Sequence, residues 1–434
     1  LLAFLRTYGS LWGIFFLIHL LGIWYAPLAW LVTALIFSVF LARGKHTHLI
    51  IFLLIILIMG DSRAWYFDYF KNMRVIGLLI VGMYTLGKLF SKAYSLKRIF
   101  LLSLPFFAVA FVASFRNPSI GTSFSKALSY LLLLLVVFHY LPTQLRRHRS
   151  LLKDIALLGM WVLLVGLIMI VMNPNLAYLI GRYRGLLGNP NGLGIYCTLL
   201  FPLLLICLDW FPKQKVTWLL GLLLLFVSVL YSGSRTALGS VLIFYFLHWF
   251  YRRPGKLAPI MLWGFVVPAM VLFLSGSGLV QLIQSVGLGE YLRVESIATG
   301  TGRFLAWGLG FTKILEAPLI GRGFAFEEWY FHSLEEFLIT TEHQGGMHNS
   351  YLTFIMNTGF IGFGFFLVFF FRLLGSMKPR AYVMPLAVTV IFSAGFESWL
   401  TSSLNAFSIH FYLLAVILIE WNQLAPKRLR TASG

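Results

Sequence analysis

GGMHNSYLTFIMNTGFIGFGFF, residues 345–366, places a histidine directly before a run that stays almost wholly apolar to Phe371. A run of about 20 such residues is what a helix needs to cross the hydrocarbon core of a bilayer. The stretch is one of many. Apolar runs recur near 10–24, 27–42, 47–60, 74–90, 99–114, 127–142, 155–172, 192–208, 216–231, 235–250, 257–274, 351–371, 382–397 and 404–420. The whole chain of 434 residues is 59% hydrophobic and 11% charged, with a mean hydropathy of +0.87. Soluble domains carry about 25% charged residues, so composition excludes an ordinary soluble fold. The runs are continuously apolar and do not alternate, which excludes an outer-membrane barrel and leaves helices.

The expected fold is therefore all-α, a polytopic transmembrane helical bundle. Several runs fall short of the length for a straight span, and 10–24 with 27–42 could form a re-entrant hairpin, so 12–14 spans are expected. The first run would serve as a signal anchor, no cleavable signal peptide being evident. Net charge is +20, but the basic residues sit in short clusters between apolar runs. That is the pattern of cytoplasmic loops, not of a nucleic-acid surface. With the N-terminus inside and the spans alternating, 22 of the 34 basic residues fall inside, giving an N-in/C-in topology. Cys197 and Cys207 lie within one apolar run and read as small buried side chains.

This topology divides the chain into a transmembrane region (1–274), one large outside loop (275–347) and C-terminal helices with a cytoplasmic tail (348–434). The loop holds eight of the fourteen acidic residues and many aromatics. Its segment RFLAWGLGFTKILEA (303–317) has an amphipathic pattern, so a small helical cap is expected there.

Five arginines gather on the outer face despite the inside bias, each beside glycine or serine. Arg182 and Arg184 precede a Gly/Asn/Pro turn in GRYRGLLGNPNGLG (181–194). Arg235 closes SGSR (232–235), Arg303 follows Thr301-Gly302, and Arg322 lies between glycines in PLIGRGF (318–324). A single interfacial arginine commonly snorkels to lipid headgroups. Five together point to a shared anion, because guanidinium holds phosphate in a bidentate fork. At the outer face that anion is the pyrophosphate of a lipid-linked glycan. His348, with Asn349 and Tyr351 beside it and Gly345-Gly346 before it, has the chemistry for acid–base work on a hydroxyl, although an interfacial anchor is the plain alternative. His343 competes with it locally. The two histidines fit no strong zinc pattern, and neither a metal nor another cofactor is expected. Glu397, late in an apolar run within SAGFESWL, is the one acid placed to assist.

Taken in order, RYRGLLGNPN (182–191), SGSR (232–235), TGR (301–303), PLIGRG (318–323) and HNSY (348–351), followed by Gly359 and Gly362, resemble the O-antigen ligase and O-antigen polymerase superfamily of bacterial envelope glycosyltransferases. The resemblance covers roughly residues 180–400. It implies a GT-C-like membrane fold in the bacterial inner membrane, with the active site and the large loop facing the periplasm. It also implies transfer of a glycan from undecaprenyl pyrophosphate without metal or nucleotide. In the ligase branch the acceptor is lipid A–core oligosaccharide, which completes lipopolysaccharide. Carried over by motif, Arg235 and Arg303 would act with His348 in catalysis. Arg182, Arg184, Arg322, Asn191, Asn349 and Tyr351 would bind pyrophosphate and glycan. The motifs do not separate ligase from polymerase or from a protein O-oligosaccharyltransferase. The ligase is preferred because one loop carries both Arg303 and the approach to His348. A lipid-linked glycan transporter or flippase is the rival from another class, disfavoured because the polar groups crowd one face. Oligomeric state stays open.

Overall fold

Leu102 and Ser103 interrupt the first helix after the Lys97 loop, and Pro202 and Pro385 lie inside helices, yet the described apolar runs remain helical. The structure is a computed structural model and describes residues 2–62, 65–252, 303–334, 346–402 and 404–430. In a bilayer every backbone polar group must find a partner within the protein, and helices meet that demand locally. Among the described residues, six helices are long and apolar enough to cross a membrane: Trp65–Phe90, Ile120–Arg147, Ser150–Met172, Pro190–Trp210, Pro212–Ser232 and Ser350–Gly375. Six shorter apolar helices, Gly9–Trp24, Ala26–Ala42, His46–Met59, Arg98–Ser114, Arg380–Phe396 and Ala406–Ile419, accompany them. The chain is a multi-pass helical membrane protein. The expected run at 257–274 lies outside the described residues.

Two short helices explain themselves by burial. Most of His46–Met59 and of Ala406–Ile419 is packed inside the bundle, apolar on every face. The Gly9–Trp24 and Ala26–Ala42 helices pair as a hairpin through Tyr25 alone.

Polar contacts sort the loops into two ends, as alternating spans require. At one end Asp61 meets Gly188, Arg74 meets the Leu404 carbonyl, Asn117 meets the Phe324 carbonyl and Lys126 meets Glu328. At the other, Arg252 meets Asp209, Arg146 meets Gln423 and the Lys378 N–H meets the Leu418 carbonyl. Among the described residues, four bundle helices begin at the first end behind a side-chain cap, as does the short Pro174–Ala177 helix behind Asn173. Asn189, Ser234, Asn349 and Asn405 each accept a first-turn N–H, which is the reason the sequence breaks there with Asn and Ser.

The first end also holds a small β-hairpin inside an otherwise helical fold. Tyr178–Leu179 pairs antiparallel with Arg182–Tyr183, closed by Ile180 and Gly181 at φ 49° and 69°. Two successive residues at positive φ are the signature of a tight hairpin turn. The segment 303–317 forms the helix Arg303–Glu316, followed by Phe326–Ser333.

A third departure lies in the Ser350–Gly375 helix, which breaks at Gly359 (φ 67°, ψ −179°). The loop 318–323 fills the break. Phe360 and Ile361 donate their N–H groups to the Pro318 and Leu319 carbonyls at 2.8 and 3.1 Å. The carbonyls these groups would have used within a helix, those of Met356 and Asn357, accept from Arg322 and Gly323 at 3.1 and 2.7 Å. Two helical rungs are thus exchanged for four bonds to the loop, and no backbone group at that depth is abandoned. A Cβ at Gly359 would fall 2.2 Å from Leu319, and one at Gly321 would fall 2.5 Å from the Gly359 nitrogen. Only glycine fits at either position.

Candidate active site

The Arg380–Phe396 helix ends at Glu397, whose backbone is extended (φ −148°, ψ 142°). This places its carboxyl group among residues from four separate segments. Oε1 accepts from Asn191 Nδ2 at 2.8 Å and from Arg303 Nη2 at 3.1 Å. Oε2 lies 3.2 Å from His348 Nδ1. Asn191 Oδ1 in turn accepts from Arg182 Nη2 at 3.0 Å. The Glu397 side chain is only 8% exposed, against 20% for Arg303 and 30% for His348. The carboxylate is therefore sunk behind the cation and the imidazole, which face outward. Four expected site residues, Arg182, Asn191, Arg303 and His348, converge on the acid expected only to assist.

Each partner is held from behind. The Arg182 guanidinium also donates twice to the Ser232 carbonyl, at 3.1 and 2.9 Å, tying the hairpin to the SGSR turn. Gly233 in that turn takes a left-handed conformation (φ 58°) and approaches Arg182 closely. Arg235 follows as the first residue of its helix, so its position is fixed by the same turn. Arg303 lies over the Phe396 ring at 5.8 Å.

His348 adopts φ 47°, a conformation that non-glycine residues rarely take. Its neighbours hold it there. Met347 is fully buried; its N–H donates to Glu327 Oε1 at 2.6 Å and its carbonyl accepts from Trp307 Nε1 at 2.9 Å. The Asn349 N–H donates to Ser398 Oγ at 3.1 Å, and Ser350 Oγ donates to the Glu397 carbonyl at 2.7 Å. An unfavourable backbone conformation fixed from several sides is characteristic of functional positions.

Electrostatics act on the imidazole in opposite senses. Burial favours its neutral form, but the hydrogen bond to Glu397 and that residue's charge outweigh burial. The His348 pKa is accordingly raised above its usual 6.5, with Arg303 opposing and Glu327 reinforcing the shift. Glu327 is itself buried, and burial raises its own pKa although the Met347 N–H pulls the other way.

Other expected residues take different places. Arg184 is 6% exposed and donates to the carbonyls of Leu176, Gly188 and Asn175 at 2.9, 3.3 and 3.4 Å. These contacts brace the loop from within. Asn349 spends its side-chain oxygen on the N–H groups of Tyr351 and Leu352, and Tyr351 donates its hydroxyl to the Ile391 carbonyl at 2.7 Å. Both shape the turn that presents His348. Arg322 pairs with Glu316 and lies 5.3 Å over the Phe326 ring, apart from the Glu397 network. His343 lies outside the described residues.

Sequence reasoning overlooked Glu327 and Asn357. Asn357 Oδ1 accepts the Glu327 N–H at 3.2 Å, so it anchors the residue that anchors Met347. In FEEWYF nothing distinguishes Glu327 from Glu328, whose side chain is 60% exposed and pairs with Lys126.

Residues 220–367 match the family described as O-antigen ligase. The match takes in Arg235, Arg303 and His348, and stops short of Arg182, Asn191 and Glu397 on either side. A search of curated proteins finds no match.

Proposed function

With residues 220–367 as a domain of the O-antigen ligase superfamily, we propose that this protein is an O-antigen ligase. It transfers a glycan from undecaprenyl pyrophosphate to lipid A–core oligosaccharide at the periplasmic face of the bacterial inner membrane. The observation that carries the reading is the convergence of Arg303, Asn191 and His348 on the buried Glu397.

In the neutral imidazole, Glu397 holds the proton on Nδ1 and leaves Nε2 as the nitrogen that acts on the acceptor. The acceptor hydroxyl gives its proton to Nε2 while its oxygen bonds to the anomeric carbon. The bond from that carbon to the pyrophosphate oxygen breaks, and its electron pair leaves with the undecaprenyl pyrophosphate. Attack opposite the leaving group inverts the anomeric centre. Negative charge grows on the departing phosphate, and preorganised guanidinium groups stabilise it where it develops. Arg303 directs one Nη to Glu397 and keeps further donors for phosphate; Arg235 and Arg182 border the same turn. The pathway uses no metal.

The test is reconstitution of the purified protein with undecaprenyl-pyrophosphate glycan and lipid A–core in EDTA. Product on lipid A–core, lost in a folded His348→Ala protein, is expected. Extension of the lipid-linked glycan in its place would make the protein a polymerase, and no transfer to either acceptor would overturn the reading.

A further inference from the structure

Behind the His348 turn lies a second polar recess that the reaction as described leaves unused. It is a cavity of about 80 Å³ between the cap and three membrane helices. Arg74, Lys126, Glu327, Glu328, Thr353 and Asn357 supply its charged and polar walls, and Thr401 and Ser402 close one side. Two of these residues are wired to the candidate active site. Glu327 accepts the Met347 N–H, one residue before His348. Thr353 donates its hydroxyl to Ser398, one residue after Glu397.

The chemistry of the walls narrows the ligand. Two cations stand against two carboxyl groups, and Lys126 is already paired with Glu328. That balance gives little attraction to a phosphate, which needs an excess of positive charge. The donors and acceptors are instead mixed and closely spaced. Arg74 directs Nη1 to the Leu404 carbonyl at 2.7 Å, while its buried Nε has no hydrogen-bond partner among the described residues. A polyol offers alternating donors and acceptors to such a wall. The volume corresponds to a handful of water-sized positions, on the scale of one sugar ring.

We infer that this cavity binds one uncharged sugar residue of the acceptor glycan and thereby sets which hydroxyl reaches His348. The inference rests on the glycosyl-transfer reading of the His348 site, and adds to it a subsite on the far side of the turn.

The probe is core oligosaccharide released from lipopolysaccharide by mild acid, used before and after chemical removal of its phosphates. Binding to the full chain in nanodiscs is followed by ligand-observed NMR, without donor. Both forms should bind with affinities within about twofold of each other, since the pocket reads hydroxyls and charge-balanced walls gain little from phosphate. Thr353→Val and Arg74→Gln should each weaken binding roughly tenfold, the scale of one lost hydrogen bond to a charged or well-ordered group. Lys126→Met, at a half-exposed position, is a third variant if Arg74→Gln fails to fold, and should weaken binding less. His348→Ala should leave binding intact while abolishing transfer. Binding that disappears with the phosphates, or that ignores all the pocket variants, overturns the subsite while leaving the proposed transfer untouched. Intact, pocket-dependent binding without any transfer would instead sink the reaction and keep the subsite.

Discussion

Glu397 and Asp209 are two carboxyl groups around which this protein gathers several polar partners, and they stand at opposite ends of the bundle. Asp209 takes both terminal nitrogens of Arg252 on one oxygen at 3.2 Å and the Tyr382 hydroxyl on the other at 2.6 Å. Arg252 is 48% exposed, so water screens the pair, and the arrangement ties helix ends together. Glu397 is more deeply buried and its partners come from the hairpin-linked helix, the cap and the His348 turn. An exposed arginine and a buried tyrosine on one half-buried acid make a staple. Outward-facing cationic and imidazole groups over a sunken acid make a site that can lend charge to a ligand while the acid keeps them in place. Both clusters set an arginine on a carboxyl group, and they differ in burial and in the imidazole that only Glu397 holds.

Parallel neutralisation is the strongest way to break the comparison. Glu397→Gln should lower transfer by at least about a hundredfold, because it removes the group that fixes the His348 tautomer and restrains Arg303. Asp209→Asn, assayed alongside, should leave transfer within about twofold and cost under ~1 kcal/mol in thermal stability, as exposed pairs do. Equal losses in both would mean that Glu397 is only another staple.

The pH profile sharpens the same contrast. His348 must be neutral to accept a proton, and its pKa is raised, so transfer should rise with pH through a value above 6.5. In Glu397→Gln that limb should move to lower pH, measured on the residual rate; Asp209→Asn should not move it. The pair also contributes to stability. A raised folded-state pKa means this contribution is complete below about 6.5 and fades as pH climbs through the higher value. Unfolding followed across that window should show the loss in the wild type and not in His348→Gln.

A smaller effect is expected from Glu327→Gln, which keeps an acceptor for the Met347 N–H but removes a charge facing His348. A kcat loss of about tenfold with little change in KM would mark it as a positioning residue. Loss of folding without a change in the pH limb would reduce it to a structural brace. Least affected in chemistry should be Arg184→Lys. It should lower stability by about 1–2 kcal/mol, since lysine cannot reach the same set of carbonyls, while activity per folded molecule stays within about twofold.

The membrane class and several residues that gather around Glu397 stood out in the sequence because polar residues are rare in this chain. His348, Arg303 and Asn191 interrupt an apolar pattern at a helix boundary and Arg182 in the hairpin between two helices, and such interruptions stand out. Roles among neighbouring polar residues could not be read. Arg182 and Arg184 are two residues apart in one loop, yet one reaches Asn191 and the other turns into a cage of carbonyls. Which carbonyls a loop presents is decided by its folded path, and the hairpin that directs Arg182 involves only two residues per strand. Glu327 and Glu328 are adjacent on one helix and so point about 100° apart, which buries one and exposes the other. Glu397 looked peripheral because its partners lie 49, 94 and 206 residues away.

The loop seated in the Gly359 break has a consequence for how such a protein can diversify. Its four bonds join main chain to main chain, so this one mount of the cap asks nothing of side chains beyond the two glycines, whereas Asn117, Lys126 and Asn357 tie the cap elsewhere through theirs. Residues on the cap that meet an incoming glycan can therefore drift under selection for new sugars without loosening the mount. A chimera exchanging caps between relatives should cut the chain outside 318–323 and carry that loop together with its helix break as a single unit.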